Sequence, residues 1–415
     1  MERADVLVVG GGSAGLSVSH ELARGGIEHL VLERGRVGQA WRDRWDSFCL
    51  VTPNWSVRLP GGEYRGDDPD GFLPRDEIAA HLEGYARAFD APVRSGVEVL
   101  SVVTTPGGFT ARTTAGDIAA RAIVAGTGAF GRPHRPPEAA SLPPRLAAID
   151  LGAYRNPTGL PPGRVLVIGS GQSGCQLAEE LREAGRDVVL SCGRAPWVTR
   201  RVGDHDIFWW LIESGFMGQT PSELPSPGAR LLSNPLTSGH GGGHDLHLRT
   251  LRAMGITLVG RFRGVDGEEA LFAPDLAASV AWGDARHADL MAVIRRTAQR
   301  LGVPEPDDPE PDAFDPTAPE RVPLADFGAV ILTGGFRPDY RSWLPWGAAF
   351  DEMGFPLQAD GASTVVDGLF FIGVHFMRTR ASSILSGVGA DAAVVARQVS
   401  ARLGARPADS PSLGV

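Results

Sequence analysis

The chain reads as an α/β protein of two Rossmann-like dinucleotide-binding domains, the second inserted in the first, and three observations say so. An unbroken apolar run, Val6-Leu7-Val8-Val9, enters Gly10-Gly11-Gly12-Ser13-Ala14-Gly15. The same order returns at Val165-Leu166-Val167-Ile168 and Gly169-Ser170-Gly171-Gln172-Ser173-Gly174. After each glycine set, apolar residues recur at helical spacing: Leu16, Val18 and Leu22 in one, Leu177, Ala178 and Leu181 in the other. A β-prone run with no polar alternation is a strand covered on both faces, so each glycine set occupies a strand-to-helix turn of a parallel sheet. In such a turn the first glycine permits the tight bend and the second admits a pyrophosphate. The third lets helix and strand close up, while the helix N-terminus offers free N–H groups to the anion.

The chain has 415 residues, 43% of them hydrophobic and 21% charged, enough for more than one core. A net charge of −9 gives no basic field, so no nucleic-acid partner is expected. Cys49, Cys175 and Cys192 lie far apart without a C-x-x-C pattern, which excludes a redox dithiol, a disulfide framework and a zinc site and fits a reducing cytoplasm. With the glycine set starting at residue 10 and no apolar run near spanning length, neither a cleaved signal nor a membrane domain is expected.

Taken in order, Leu30-Val31-Leu32 reads as the second strand and ends in Glu33, eighteen residues past Gly15, where a carboxylate binds a ribose diol. Residues 38–55, crowded with Trp, Arg and Asp and lacking any period, read as a loop over something flat and polar. Residues 76–89 predict an amphipathic helix, residues 97–113 a hairpin or small meander, and Ala122–Ala125 a strand entering Gly126-Thr127-Gly128. The proline-rich stretch 132–162 reads as a crossing linker.

In the second unit, eighteen residues past Gly174 falls on Cys192, uncharged, with Arg194 beyond it. A missing carboxylate and a nearby guanidinium favour a 2′-phosphate, so the second dinucleotide is expected to be NADP, with Arg200 and Arg201 as reinforcements. Phe208–Ile212 predicts a buried or pocket-lining helix. His240, His244 and His247 lie on a glycine loop, but no acid or cysteine completes a ligand spacing and no metal is expected. A long helix is predicted over 276–301, an extended connector over 303–323, a strand at 329–332 entering Thr333-Gly334-Gly335, a strand at 369–372 closing on Gly373, and a helix over 386–403 before a frayed tail.

Three features together resemble the class B flavin monooxygenases of the branch that holds the plant YUCCA and bacterial CzcO-like proteins. They are the first glycine set with Glu33, the second glycine set after a proline-rich crossing, and Gly38-x-x-Trp41 with Asp46-Ser47 and Thr52-Pro53. The resemblance implies FAD on Gly10, Gly12, Ser13, Ala14 and Gly15, its ribose at Glu33 beside Arg34, its adenine near Val97, and its ring side near Gln39, Ala40 and Trp41. It also implies flavin contacts from Thr127, Gly128, Gly373 and Leu385, and NADPH on Gly169, Ser170, Gly171, Gln172, Ser173, Gly174, Arg194 and Arg201. Asn54 falls near a flavin-facing asparagine of the family and is carried over as the catalytic residue.

Residues 1–155 and 323–415 would then form the FAD domain, and 160–322 the NADPH domain with a substrate-pocket segment at 203–260. The implied reaction is NADPH-driven transfer of one atom of dioxygen through a flavin C4a-(hydro)peroxide to a small amine, sulfur or carbonyl compound. The rivals are an NADPH-dependent flavin reductase without oxygen insertion and a non-catalytic flavin sensor. The family's usual fingerprint before the second glycine set is largely absent: only Tyr154 matches, with Asp150, Leu146 and Pro144 at its other places.

Overall fold

A computed structural model describes residues 1–404 except 233, 308 and 309; the expected tail lies outside the described residues. Strand Glu2–Val9 is central to the first sheet, pairing in parallel with His29–Glu33 on one side and Gly116–Ala125 on the other. Val93–Ser95 and Leu369–Phe371 extend it in parallel at either end. Val6, Leu7 and Val8 are fully buried within the first core, which is why the run carries no polar alternation.

The second sheet is wholly parallel, in the order Ala147–Asp150, Phe327–Leu332, Arg164–Ile168, Val188–Ser191, Thr257–Val259. The two glycine units match bond for bond. Gly10 N donates to Leu32 O at 2.8 Å and Gly169 N to Ser191 O at 3.1 Å. The register pairs Val9 with Leu32 and Ile168 with Ser191. Cys192 therefore occupies the place of Glu33.

Sheet membership moves the expected domain boundaries. Ala147–Asp150, read as linker, is an edge strand of the second sheet, and Phe327–Leu332, placed in the C-terminal part of the FAD domain, runs beside Arg164–Ile168 in that same sheet. Both strands of chain that cross between the sheets meet as an antiparallel ribbon, Arg132–Pro133 against Phe336–Arg337. Helices Ser13–Arg24, Arg75–Ala88, Leu276–Leu301 and Val388–Leu403 fall where the helical spacing puts them. The last of these buries Val388, Val395 and Val399 on the first core, each contributing roughly 1.5–3 kcal/mol. Hairpin Val99–Thr105 and Gly108–Thr113 continues into Gly116–Ala125 as a meander.

Candidate functional site

Both glycine helices begin without a side-chain cap, at Gly12 and at Gly171, and each lies at the carboxyl end of its sheet. Their first-turn N–H groups point into the crevice where open α/β sheets bind ligands. The glycines divide by function. A Cβ on Gly15 would lie 1.8 Å from Gly10 O, and one on Gly174 1.9 Å from Gly169 O, so these positions are closed by the protein's own backbone. A Cβ on Gly12 would meet nothing within 4 Å. Packing does not require a glycine there; a pyrophosphate approaching the helix would.

The first crevice is assembled from distant segments. Gly10 is held at φ +111° with its Cα hydrogens against Gly126 O, and Gly373, at φ +76°, lies so close to Ala14 that a Cβ would come within 2.6 Å of that methyl. Gly128 stands next to Gly373, and Thr127 is exposed. Glu33, 9% exposed, accepts from Gly11 N at 2.7 Å and Gly35 N at 2.8 Å. Val97 N in turn donates to Glu33 O, which holds Val97 beside Glu33. Arg34 and Ala40 are exposed. Gln39 donates to Asp43, and Trp41 packs on Phe48 at 5.8 Å. Leu385 O accepts from Arg58 N and so joins the C-terminal segment to the loop after Asn54.

The second crevice is tied differently. Ser170 stands where the first loop has Gly11, and its hydroxyl accepts from Gly193 N at 2.9 Å and lies 3.2 Å from Gly193 O. A neutral hydroxyl thus makes the loop-to-strand tie that Glu33 makes with a charge. Cys192 is fully buried, and burial pushes its thiol up to about 12; Cys175, also fully buried, is raised by the same cause. Neither is a thiolate at neutral pH, so neither supplies disulfide-exchange chemistry. Arg194 is exposed and has no ion-pair partner among the described residues. Gln172 clasps Thr237 through both its amide atoms.

One expectation changes. Arg200 does not reinforce the 2′-phosphate site: it is 3% exposed, ion-paired to Asp206, and bonded to Val51 O. Arg201, expected on the same phosphate, is exposed and donates to Asp204 O. Trp210 is core, with its indole N–H on Val202 O, while Trp209 stacks on His205. Two of the glycine-loop histidines meet carboxylates, His244 to Glu179 at 2.6 Å and His240 to Glu183 at 3.2 Å. The Glu179 hydrogen bond raises the His244 imidazole above its usual range.

Asn54 is 2% exposed and its amide already has partners: Oδ1 accepts from Leu73 N at 2.7 Å and Nδ2 donates to Asp68 O at 2.9 Å. The geometry gives it the task of holding loop 68–73 across the Trp-rich segment. Asn54→Ala should leave the buried Leu73 N–H without an acceptor and lower stability by about 1–3 kcal/mol, read as a fall in melting temperature. An unchanged melting temperature would return Asn54 to the flavin-facing role that the resemblance implied.

The residue that sequence reasoning passed over is Arg44. Its guanidinium lies 5.6, 5.3 and 5.7 Å from the ring centres of Phe48, Phe130 and Phe336. Those rings come from three distant parts of the chain, so no spacing signals the cluster.

The comparisons agree with this architecture. The family model for pyridine nucleotide-disulphide oxidoreductases matches residues 7–207. A CzcO-like oxidoreductase of Geobacillus kaustophilus is 30% identical over 94% of this chain and 96% of its own. Human flavin-containing monooxygenase 5 is 27% identical over 49% of this chain and 43% of its own. Among solved structures, a doubly substituted flavin monooxygenase from Stenotrophomonas maltophilia superposes with a TM-score of 0.68 at 22% identity, covering 97% of this chain and 99% of that one. No described helix is long and apolar enough to cross a membrane. The chain belongs to the CzcO-like oxidoreductases, class B flavin monooxygenase-like proteins that use FAD and NADPH.

Proposed function

We propose that the protein is an NADPH-consuming monooxygenase of the cytoplasm that uses FAD to oxygenate a small organic molecule. The observation that carries the cofactor assignment is the charge difference between two otherwise matching crevices. Glu33 supplies a carboxylate to the first, whereas Ser170 and Cys192 leave the second neutral beside the free guanidinium of Arg194. FAD fits the first and the 2′-phosphate of NADPH the second. When both are bound, NADPH supplies hydride and FAD the oxygen chemistry that ordinary side chains lack.

The chain's own work is binding, orientation and dryness. The uncapped helix ends would hold the two pyrophosphates, and beside the first of these helices the Gly373 turn packs on Ala14 with Gly128 next to it. Segment 203–260 is the proposed pocket wall, and its base is anchored on the first half: Gly239 and Gly243 pack on Phe72. Arg200 reinforces this by bonding Val51 O just ahead of the segment. Such closure excludes water from the space between the sheets.

Oxygen transfer is tested on the FAD-loaded protein, reduced with NADPH without air and then mixed with oxygen. A monooxygenase should show an absorbing species distinct from reduced and oxidised flavin, with hydrogen peroxide released only as it decays. A single-step return to oxidised flavin would establish the reductase instead.

Arg194→Ala should cut kcat/KM for NADPH by roughly ten- to a hundred-fold, the loss of about 1.5–3 kcal/mol from one charge-assisted phosphate contact, and leave NADH unchanged. Equal effects on both nucleotides would remove Arg194 from the phosphate site.

A further inference from the structure

The ribbon in which the two chain crossings meet is short. It pairs Phe336 with Pro133 and Arg337 with Arg132, two residues on each side, and such a ladder holds the angle between two domains only weakly. Hydride passes only between carbons in near-contact, and a misplacement of about 1 Å costs on the order of a hundredfold in rate. A hinge this slight needs a second point of support.

Residues 38–50 supply it. The segment leaves the first half at Gly38, whose N–H donates to Gly11 O at 3.2 Å inside the first glycine set, and it rejoins the first core at Leu50. Between these points Trp45, 3% exposed, belongs to the other core, that of the second sheet, with Leu151, Tyr154, Leu177 and Leu181. Phe48 packs against both cores and meets the Trp45 ring edge to face at 4.9 Å.

Polar bonds fix the segment on either side of the indole. Asp46 N donates to Arg155 O and Arg155 Nη1 to Asp43 O, both at 2.8 Å, and Asn156 Nδ2 donates to Asp46 Oδ2 at 2.6 Å. Arg155 and Asn156 lie just past the edge strand Ala147–Asp150, so these are bonds to the second half. From the first half Arg75 donates to Arg44 O and Asp46 Oδ1. Trp45, Ser47 and Cys49 line one small cavity with Gln176, Glu179 and Glu180, which sets the segment along helix Gln172–Glu183, whose N-terminus faces the second crevice.

We propose that Trp45 is a positioning residue for hydride transfer: a peg from the FAD half, seated in the core of the NADPH half, that sets the distance between the two cofactor sites. The inference rests on the assignment of the two crevices given under Proposed function and is independent of the fate of oxygen. The peg is bonded at its base to the loop that would cradle one pyrophosphate and lies along the helix that would cradle the other. Rotating either half would draw an aromatic ring out of a packed core, at the loss of one of the largest apolar burials a side chain can make. Arg44 extends the same support to the hinge, since its guanidinium lies over Phe130 and over Phe336 of the ribbon.

The test uses the FAD-loaded protein with spin labels at Ala88→Cys and Ala288→Cys, exposed positions on helices Arg75–Ala88 and Leu276–Leu301, in a Cys49→Ser background. With Trp45 intact there should be one narrow interspin distance that NADP⁺ does not move. A second population, or a shift when NADP⁺ is added, overturns the proposal. Trp45→Ala should broaden the distance and, in unlabelled protein without oxygen, slow flavin reduction at saturating NADPH by about tenfold or more, with NADP⁺ affinity and bound FAD unchanged. Trp45→Phe should keep most of the wild-type rate. A Trp45→Ala variant with a lower melting temperature but an unbroadened distance or a wild-type reduction rate overturns the proposal, because packing alone predicts that result. Loss of NADP⁺ binding at an unchanged limiting rate overturns it too, by making Trp45 a binding residue. If Trp45→Ala does not fold, Trp45→Leu, which keeps an apolar filler, carries the same measurements. None of them involves oxygen, so their failure is separate from failure of the monooxygenase reading.

Discussion

Gly12→Val should accumulate as folded protein and purify colourless, whereas Gly15→Val should not fold. The two glycines belong to one motif but are glycines for opposite reasons. Gly12 has φ −85° and ψ −173°, extended backbone open to any residue, and no atom of the chain lies within 4 Å of where its Cβ would be. A side chain there occupies only the space in front of the helix N-terminus and blocks the pyrophosphate. At Gly15 the Cβ would lie 1.8 Å from the Gly10 carbonyl oxygen, and helix and strand must separate to accept it. Overpacking against backbone costs about 3 kcal/mol or more, a large part of a domain's stability. Circular dichroism and the ratio of bound flavin to protein read both outcomes. A yellow, fully loaded Gly12→Val variant would show that the first crevice does not hold the FAD pyrophosphate.

The same distinction explains which features were legible in the sequence. A strand covered on both faces must be apolar throughout, and a helix packed on a sheet must repeat every three to four residues, so Val6–Val9 and the helix Leu276–Leu301 announce themselves locally. Ala147–Asp150 does not. It is four residues long and flanked by prolines that carry the composition of a linker, and only its partner Phe327–Leu332, far along the chain, makes it a strand. Arg200 and Arg194 look alike in sequence; burial of Asp206 beside one and open solvent beside the other separate their roles. The Arg44 box is the extreme case, since its three rings are brought together only by two strand-end turns and a loop.

Glu33→Gln should lose FAD nearly as thoroughly as Glu33→Ala, although the side chains of Glu and Gln match in size. Both carboxylate oxygens already accept a backbone N–H, Oε2 from Gly11 and Oε1 from Gly35. A glutamine offers one acceptor oxygen and one NH₂ group, so one backbone N–H would face another donor. The side chain cannot move away to relieve this, because Gly11 lies against it: a Cβ there would come within 2.9 Å of Glu33 Cβ. Each charge-assisted bond is worth about 1.5–3 kcal/mol, and losing one from a loop that must be preformed lowers FAD affinity on the order of ten- to a hundred-fold or more. The remaining lone pairs of the carboxylate are those that would take the ribose diol, so loop shape and ligand binding fail together. Flavin retained through gel filtration, with the melting temperature measured in excess FAD, separates them: excess FAD should restore most of the lost stability if affinity is the main casualty. Full flavin content and an unshifted melting temperature in Glu33→Gln would mean that neither tie depends on the charge.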